Sequence, residues 1–94
     1  MKLKKCTQKQ LKSLSRNNNI ICFGYTKWLE EICRDETVRE KIIGLVDNNT
    51  HIWGQTVKLG KSEVLVNDPV CIKSMLQEHV VVVITASYQE LLYI

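Results

Sequence analysis

Two stretches decide the fold: Ile20-Ile21-Cys22-Phe23-Gly24 and Ile42-Ile43-Gly44-Leu45-Val46-Asp47. Each is a short, almost wholly apolar run closed by a residue that favours a turn. A strand with one wet face alternates apolar and polar residues. A run that is apolar throughout reads as a strand buried on both faces, the habit of parallel sheets. Between the two runs lies a helical pattern, with Trp28, Leu29, Ile32 and Cys33 on one side and Lys27, Glu30, Glu31 and Arg34 on the other. Strand, helix and strand in that order predict a right-handed crossover that lays 20–23 and 42–46 side by side in the same direction.

On the N-terminal side, Thr7-Gln8-Lys9-Gln10 has the form of a capping box, which predicts a helix over about 8–16 with Leu11 and Leu14 inward. Asn17-Asn18-Asn19 breaks it. On the C-terminal side, Asp47-Asn48-Asn49-Thr50 is a turn, and Trp53-Gly54 and Leu59-Gly60 punctuate a small hairpin or irregular excursion over 52–60. Glu63-Val64-Leu65-Val66 reads as a short edge strand. Asp68-Pro69 starts a helix that runs to about Gln77 with Ile72, Met75 and Leu76 inward. Val80-Val81-Val82-Val83-Ile84 is a central strand, ended by Thr85-Ala86. Ser87-Tyr88-Gln89-Glu90 is a second capping box and predicts a helix carrying Leu91, Leu92, Tyr93 and Ile94.

Alternating strands and helices define an α/β, three-layer sandwich whose sheet is parallel apart from the 52–60 excursion. With the four apolar strands numbered along the chain, the expected order is 3-2-1-4. The expected core is Ile21, Phe23, Leu29, Ile32, Ile43, Leu45, Val64, Leu76, Val81, Val83 and Leu91. The expected organisation is one domain over 1–94: a basic helical segment over 1–18, then a βαβ core over 19–94 that continues downstream in a longer parent protein.

Composition narrows the class. The chain has 94 residues, 45% apolar and 24% charged, which suits one modest globular domain. No apolar run reaches the roughly 20 residues that span a bilayer, and the start lacks a secretory signal's apolar stretch, so a cytoplasmic protein without membrane insertion is expected. Cys6, Cys22, Cys33 and Cys71 form no C-x-x-C pair, and neither His51 nor His79 stands at ligand spacing from them, so free thiols are expected and no zinc site. The net charge of +3 is unevenly spread: six of thirteen basic residues fall in 1–20, which carries no acid. No aromatics interleave with them, so a solvated helix face is expected and nucleic acid is not the expected partner.

The βαβ unit directs attention to the ends of its strands. In nucleotide-binding units of the Rossmann type, a G-x-G-x-x-G turn joins the first strand to its helix and an acid ending the second strand takes the ribose hydroxyls. Here Gly24 ends the first run and Asp47 ends the second, 23 residues later. Thr26 and Leu29 stand at the other two glycine positions. Thr26 reads as a helix N-cap or a phosphate-contacting hydroxyl.

The segments Ile21–Gly24, Gly44-Leu45-Val46-Asp47-Asn48-Asn49, Trp53-Gly54, Gly60 and Val80–Tyr88 together resemble the Rossmann-like domains of bacterial surface-polysaccharide proteins. These domains are joined to sugar-modifying enzymes, methyltransferases or transferases. The resemblance covers about 19–94 and departs at the glycine turn. It implies a ligand site formed by Gly24, Tyr25 and Thr26 at the turn, Asp47 and Asn48 at the second strand end, and Ala86 and Ser87 at the last. NAD(H) or a nucleotide sugar is the implied ligand. No Tyr-x-x-x-Lys or Ser–His–acid set accompanies these positions, so the chain reads as a binding module and not as a catalyst in isolation. Two alternatives stand beside it: a degenerate, non-catalytic protein-interaction domain, and a fragment of a sugar-nucleotide-modifying enzyme. The apolar C-terminal edge implies a homo-oligomer, such as a dimer, or a downstream domain as its cover.

Overall fold

The computed structural model describes residues 4–59, 62–85 and 91–93. The fold is mixed α/β. Strands β1 (Lys4–Cys6), β2 (Asn19–Phe23), β3 (Ile42–Val46), β4 (Thr56–Leu59), β5 (Ser62–Asn67), β6 (Val80–Ile84) and β7 (Leu91–Tyr93) lie in the order β1-β7-β6-β2-β3-β5-β4. The helices are α1 (Gln8–Asn17), α2 (Lys27–Ile32), α3 (Glu36–Arg39) and α4 (Ile72–Met75). Among the described residues, no helix is long and apolar enough to cross a membrane.

Strand β2 lies at the centre. It pairs in parallel with β3 on one edge and with β6 on the other, and β3 in turn pairs in parallel with β5. The outer pairs are antiparallel: β4 folds back on β5, and β7 joins β6 to β1. The expected parallel centre is present, and antiparallel pairing extends to both edges instead of being confined to 52–60.

The parallel strands bury both faces. On one face, Ile20 and Cys22 of β2, Leu45 of β3, Val66 of β5 and Val83 of β6 meet Leu11 of α1, Leu29 and Ile32 of α2, Cys33, and Val38 of α3. On the other face, Ile21, Val46 and Val82 are buried, and Met75 of α4 comes over Gly44. A Cβ at Gly44 would meet the end of the Met75 side chain, which would have to shift to make room for it.

Local signals explain the helix starts. The Thr7 hydroxyl accepts from the Gln10 N–H at 3.1 Å, and the Gln10 side chain accepts from the Thr7 N–H at 2.8 Å, a complete capping box. Asp35 caps α3 through the Thr37 N–H at 2.9 Å. The Asp68 carboxylate accepts from the Val70 N–H at 3.0 Å, but Pro69–Cys71 forms a 3₁₀ turn before α4. The helix stops at Met75, short of Gln77, because Leu76 turns to an extended backbone, and Leu76 is 39% exposed.

Several expectations need correction. Residues 91–93 form strand β7, not a helix; the apolar run pairs with the open edge of β6, Val83 opposite Tyr93 and Ile84 opposite Leu92. The segment 87–90, with its second capping box, lies outside the described residues. The expected helical segment over 1–18 contains strand β1 before α1 begins at Gln8. Ile43 is 46% exposed, because the β2–β3 register shifts between Ile20 and Ile21 and makes Ile43 the extra residue of a bulge. Phe23, Val64 and Val81 are half-buried, and the side chain of Leu91 lies outside the described set.

Cys22, Cys33 and Cys71 are free, the first two buried. Burial, reinforced by the neighbouring Cys33, raises the Cys22 thiol far above its ordinary value. Burial also pushes Cys33 up to about 11, with Arg39 opposing the rise and Glu30 adding to it. Iodoacetamide at pH 8 is expected to label Cys71 well ahead of Cys22 and Cys33 in the native protein, read by peptide mass spectrometry. In the unfolded chain these thiols ionise near 9.0. Their burial therefore stabilises the fold fully below that pH, and the contribution is lost as pH rises from about 9 towards 11, so Tm should fall across that window. Val83 is 1% exposed on β6, and Val83→Ala should cost about 2 kcal/mol in chemical denaturation.

Candidate functional site

The carboxyl ends of β2, β3 and β6 meet at Gly24. Gly24 has φ +113°, a conformation that an L side chain rarely adopts, and it turns the chain out of β2 towards α2. Both neighbouring strands hold this turn. From β3, the Val46 carbonyl accepts the Gly24 N–H at 2.8 Å. Asp47 then reaches across: its Oδ2 accepts the Tyr25 N–H at 2.8 Å, while Oδ1 accepts the Asn49 N–H at 2.8 Å. One carboxylate thus ties the glycine turn to the loop after β3.

From β6, Thr85 does the corresponding work. It is fully buried, and its N–H donates to the Phe23 carbonyl at 2.9 Å. Its hydroxyl lies within hydrogen-bonding distance of both the Gly24 carbonyl and, at 3.1 Å, the Phe23 carbonyl. The Thr26 hydroxyl donates to the Thr85 carbonyl at 2.6 Å and accepts from the Leu29 N–H at 3.4 Å, which makes Thr26 the N-cap of α2. Leu29, at the third glycine position of the fingerprint, is wholly buried in the core.

The structure therefore brings together Gly24, Tyr25, Thr26 and Asp47. Asn48 is exposed in the turn after β3, next to Asp47. Ala86 and Ser87 lie outside the described residues. In sequence, Thr85 marks only the end of a strand, its one signal a hydroxyl directly after five apolar residues, and Trp53 stands only beside a turn glycine. The Trp53 indole N–H donates to the Asp47 main-chain carbonyl at 2.6 Å, which sets the half-exposed ring against the end of β3. Tyr25 is also partly exposed, at 39%.

Other features offer less. An open groove of about 730 Å³ lies between α1 and the α2–α3 segment, where Lys12 and Asp35 approach to 3.9 Å. Its lining mixes both charge signs and includes no strand-end residue. Among the described residues, no group of three His, Cys, Asp or Glu side chains is placed to hold a metal ion. His51 is exposed, and its backbone N–H is held by Asn49 Oδ1 at 3.0 Å. No family model, curated protein or solved structure matches the chain.

The buried Thr85 hydroxyl provides a direct test of the turn. Thr85→Val keeps the shape but removes the hydroxyl proton from the Gly24 carbonyl, while the Phe23 carbonyl keeps the Thr85 N–H, and should cost about 1–3 kcal/mol of stability. Thr85→Ser should recover a substantial part of that loss in the same denaturation experiment.

Proposed function

We propose that this chain is a Rossmann-type nucleotide-binding module that holds NAD(H) or a nucleotide sugar at the carboxyl ends of β2, β3 and β6. The observation that carries the reading is the position of Asp47: the acid ending β3 sits at the glycine turn that ends β2, within hydrogen-bonding distance of the turn's own backbone. The strand order supports it. Strands β3 and β6 leave β2 on opposite sides, with β5 beyond β3, so the chain reverses its winding at β2. In open α/β sheets, ligands bind in the crevice at such a reversal, outside the carboxyl ends of the strands.

Association with bacterial cell-surface polysaccharide synthesis rests on the resemblance of the Gly44–Asn49 and Trp53-Gly54 segments, and a cytoplasmic site of action goes with it. Within that setting the chain is a binding module, acting as a homo-oligomer or beside a catalytic domain that performs the sugar chemistry.

A second reading, a degenerate interaction domain, draws on a specific observation. Thr26 and Leu29 replace two fingerprint glycines, and the Thr26 hydroxyl proton is spent on the Thr85 carbonyl instead of being free for a phosphate. Thermal unfolding with NAD(H), NADP(H) and UDP- or CDP-sugars separates the two. A true ligand at 100 times its Kd adds about 2.7 kcal/mol of stability, and Asp47→Ala should abolish that gain. No response to any member of the panel rejects the nucleotide-binding reading and leaves the interaction domain.

A further inference from the structure

We infer that the outer edge of β4, with the cationic groove beside it, is a docking site for an extended acidic segment of another protein. Neither feature includes a residue of the Gly24 turn, so the inference stands apart from the nucleotide-binding reading.

Among the described residues, β4 pairs with β5 alone and ends the sheet. The Val66 N–H donates to the Gln55 carbonyl at 2.9 Å. In an antiparallel pair the bonded positions recur at every second residue, so Val57–Val64 and Leu59–Ser62 follow as bonded pairs. Thr56 and Lys58 alternate with them and turn their N–H and C=O groups away from β5. Both residues are exposed. Val57 and Leu59 pack on the core, which holds the strand in place. The edge is therefore an ordered row of main-chain donors and acceptors, the template that an added strand needs.

An open groove of about 270 Å³ lies beside this edge, lined by Lys58 and Leu59 of β4 together with Glu30, Cys33, Arg34 and Arg39. Arg34, Arg39 and Lys58 outnumber the single carboxylate of Glu30. Arg39 is the fixed member: its Nη1 donates to the Cys33 carbonyl at 3.0 Å, and its side chain is 18% exposed. Its contact with Glu36 is long, at 3.9 Å, and Glu36 is 70% exposed, so that pair holds it weakly. A guanidinium positioned in advance forfeits less side-chain freedom when it takes a carboxylate. Arg34 is exposed.

The charge selects the occupant. A second copy adding its own β4 would bring Lys58 and the same cationic groove against this one, and like charges across a strand pair repel. A lysine by itself only blunts an edge against such pairing. The groove goes further, because it gives an opposite charge a place to sit. An extended chain with Asp or Glu at alternate positions meets both demands. Its main chain bonds to Thr56 and Lys58, and the carboxylates along one of its faces reach the groove.

Fluorescence anisotropy on the full chain tests this with a labelled peptide that alternates glutamate and valine. One control carries lysine for glutamate, and another keeps glutamate but is N-methylated on the bonding amides. The acidic peptide should bind at least about tenfold more tightly than either control, the scale of lost charged hydrogen bonds, and should weaken as salt is raised. Arg34→Glu should weaken it by about tenfold. Thr56→Pro removes an outward N–H at an edge position, where proline is tolerated, and should abolish binding with circular dichroism unchanged. Should that variant fail to fold, peptide-induced shifts of the Thr56 and Lys58 amides in the nitrogen-15 spectrum of the unaltered chain locate the site instead. Equal binding of the lysine or the N-methylated peptide overturns the inference, and so does no binding of the acidic one. If the chain self-associates and Thr56→Pro makes it monomeric, a second copy holds the edge and the acidic partner is rejected.

Discussion

Strand β2 is hydrogen-bonded along both edges to strands running in its own direction, and the rest of the molecule is arranged around that constraint. Ile20–Phe23 are paired on both edges, and Ile20, Ile21 and Cys22 are buried on alternating faces. Parallel neighbours cannot be joined by tight turns. The chain must therefore leave β2, cross over through α2 and α3, and return at the starting end of β3. Those crossovers supply the apolar side chains that cover one face, while the segment around Met75 covers the other at Gly44. They also bring three strand ends of the same polarity to one side of the sheet.

That shared polarity makes the Gly24 turn a place where side chains converge. The turn is stiff because its neighbours stiffen it: Asp47 from one side, Thr85 from the other, and Gly24 itself in a backbone conformation costly to other residues. The stiffness has a chemical consequence. The bonds that fix the turn engage the Gly24 and Tyr25 N–H groups and the Thr26 hydroxyl proton. Asp47 is the centre of these contacts: its carboxylate accepts from the Tyr25 and Asn49 N–H groups and its main-chain carbonyl from the Trp53 indole.

The parallel centre was legible because fully buried strands have a distinctive composition: Ile20–Phe23, Ile42–Val46 and Val80–Ile84 carry almost no polar residue. The helix starts at Thr7 and Asp68 were legible because their capping chemistry is local. What escaped depended on distant partners. Leu91–Tyr93 follows a helix-start signal in sequence, yet its place is decided by the open edge of β6, which lies outside any local window. Ile43 has the same apolar character as Leu45, and only the register shift against β2 separates the exposed residue from the buried one. At the site, the spacing of Gly24 and Asp47 suggested that they meet. It could not show that they bond to each other directly, nor that Thr85 completes the arrangement.

Strand β7 lies between β6 and β1, so Lys4 stands opposite Tyr93, almost a full chain length away. During ribosomal synthesis, Lys4–Cys6 emerges early but has no place in the sheet until 91–93 has been added. Closing so large a loop is entropically slow relative to local helix formation. The far edge of the sheet is therefore the last part to assemble, and until it does the nascent chain presents the unpaired flank of β6, a row of valines open to any strand that reaches it first.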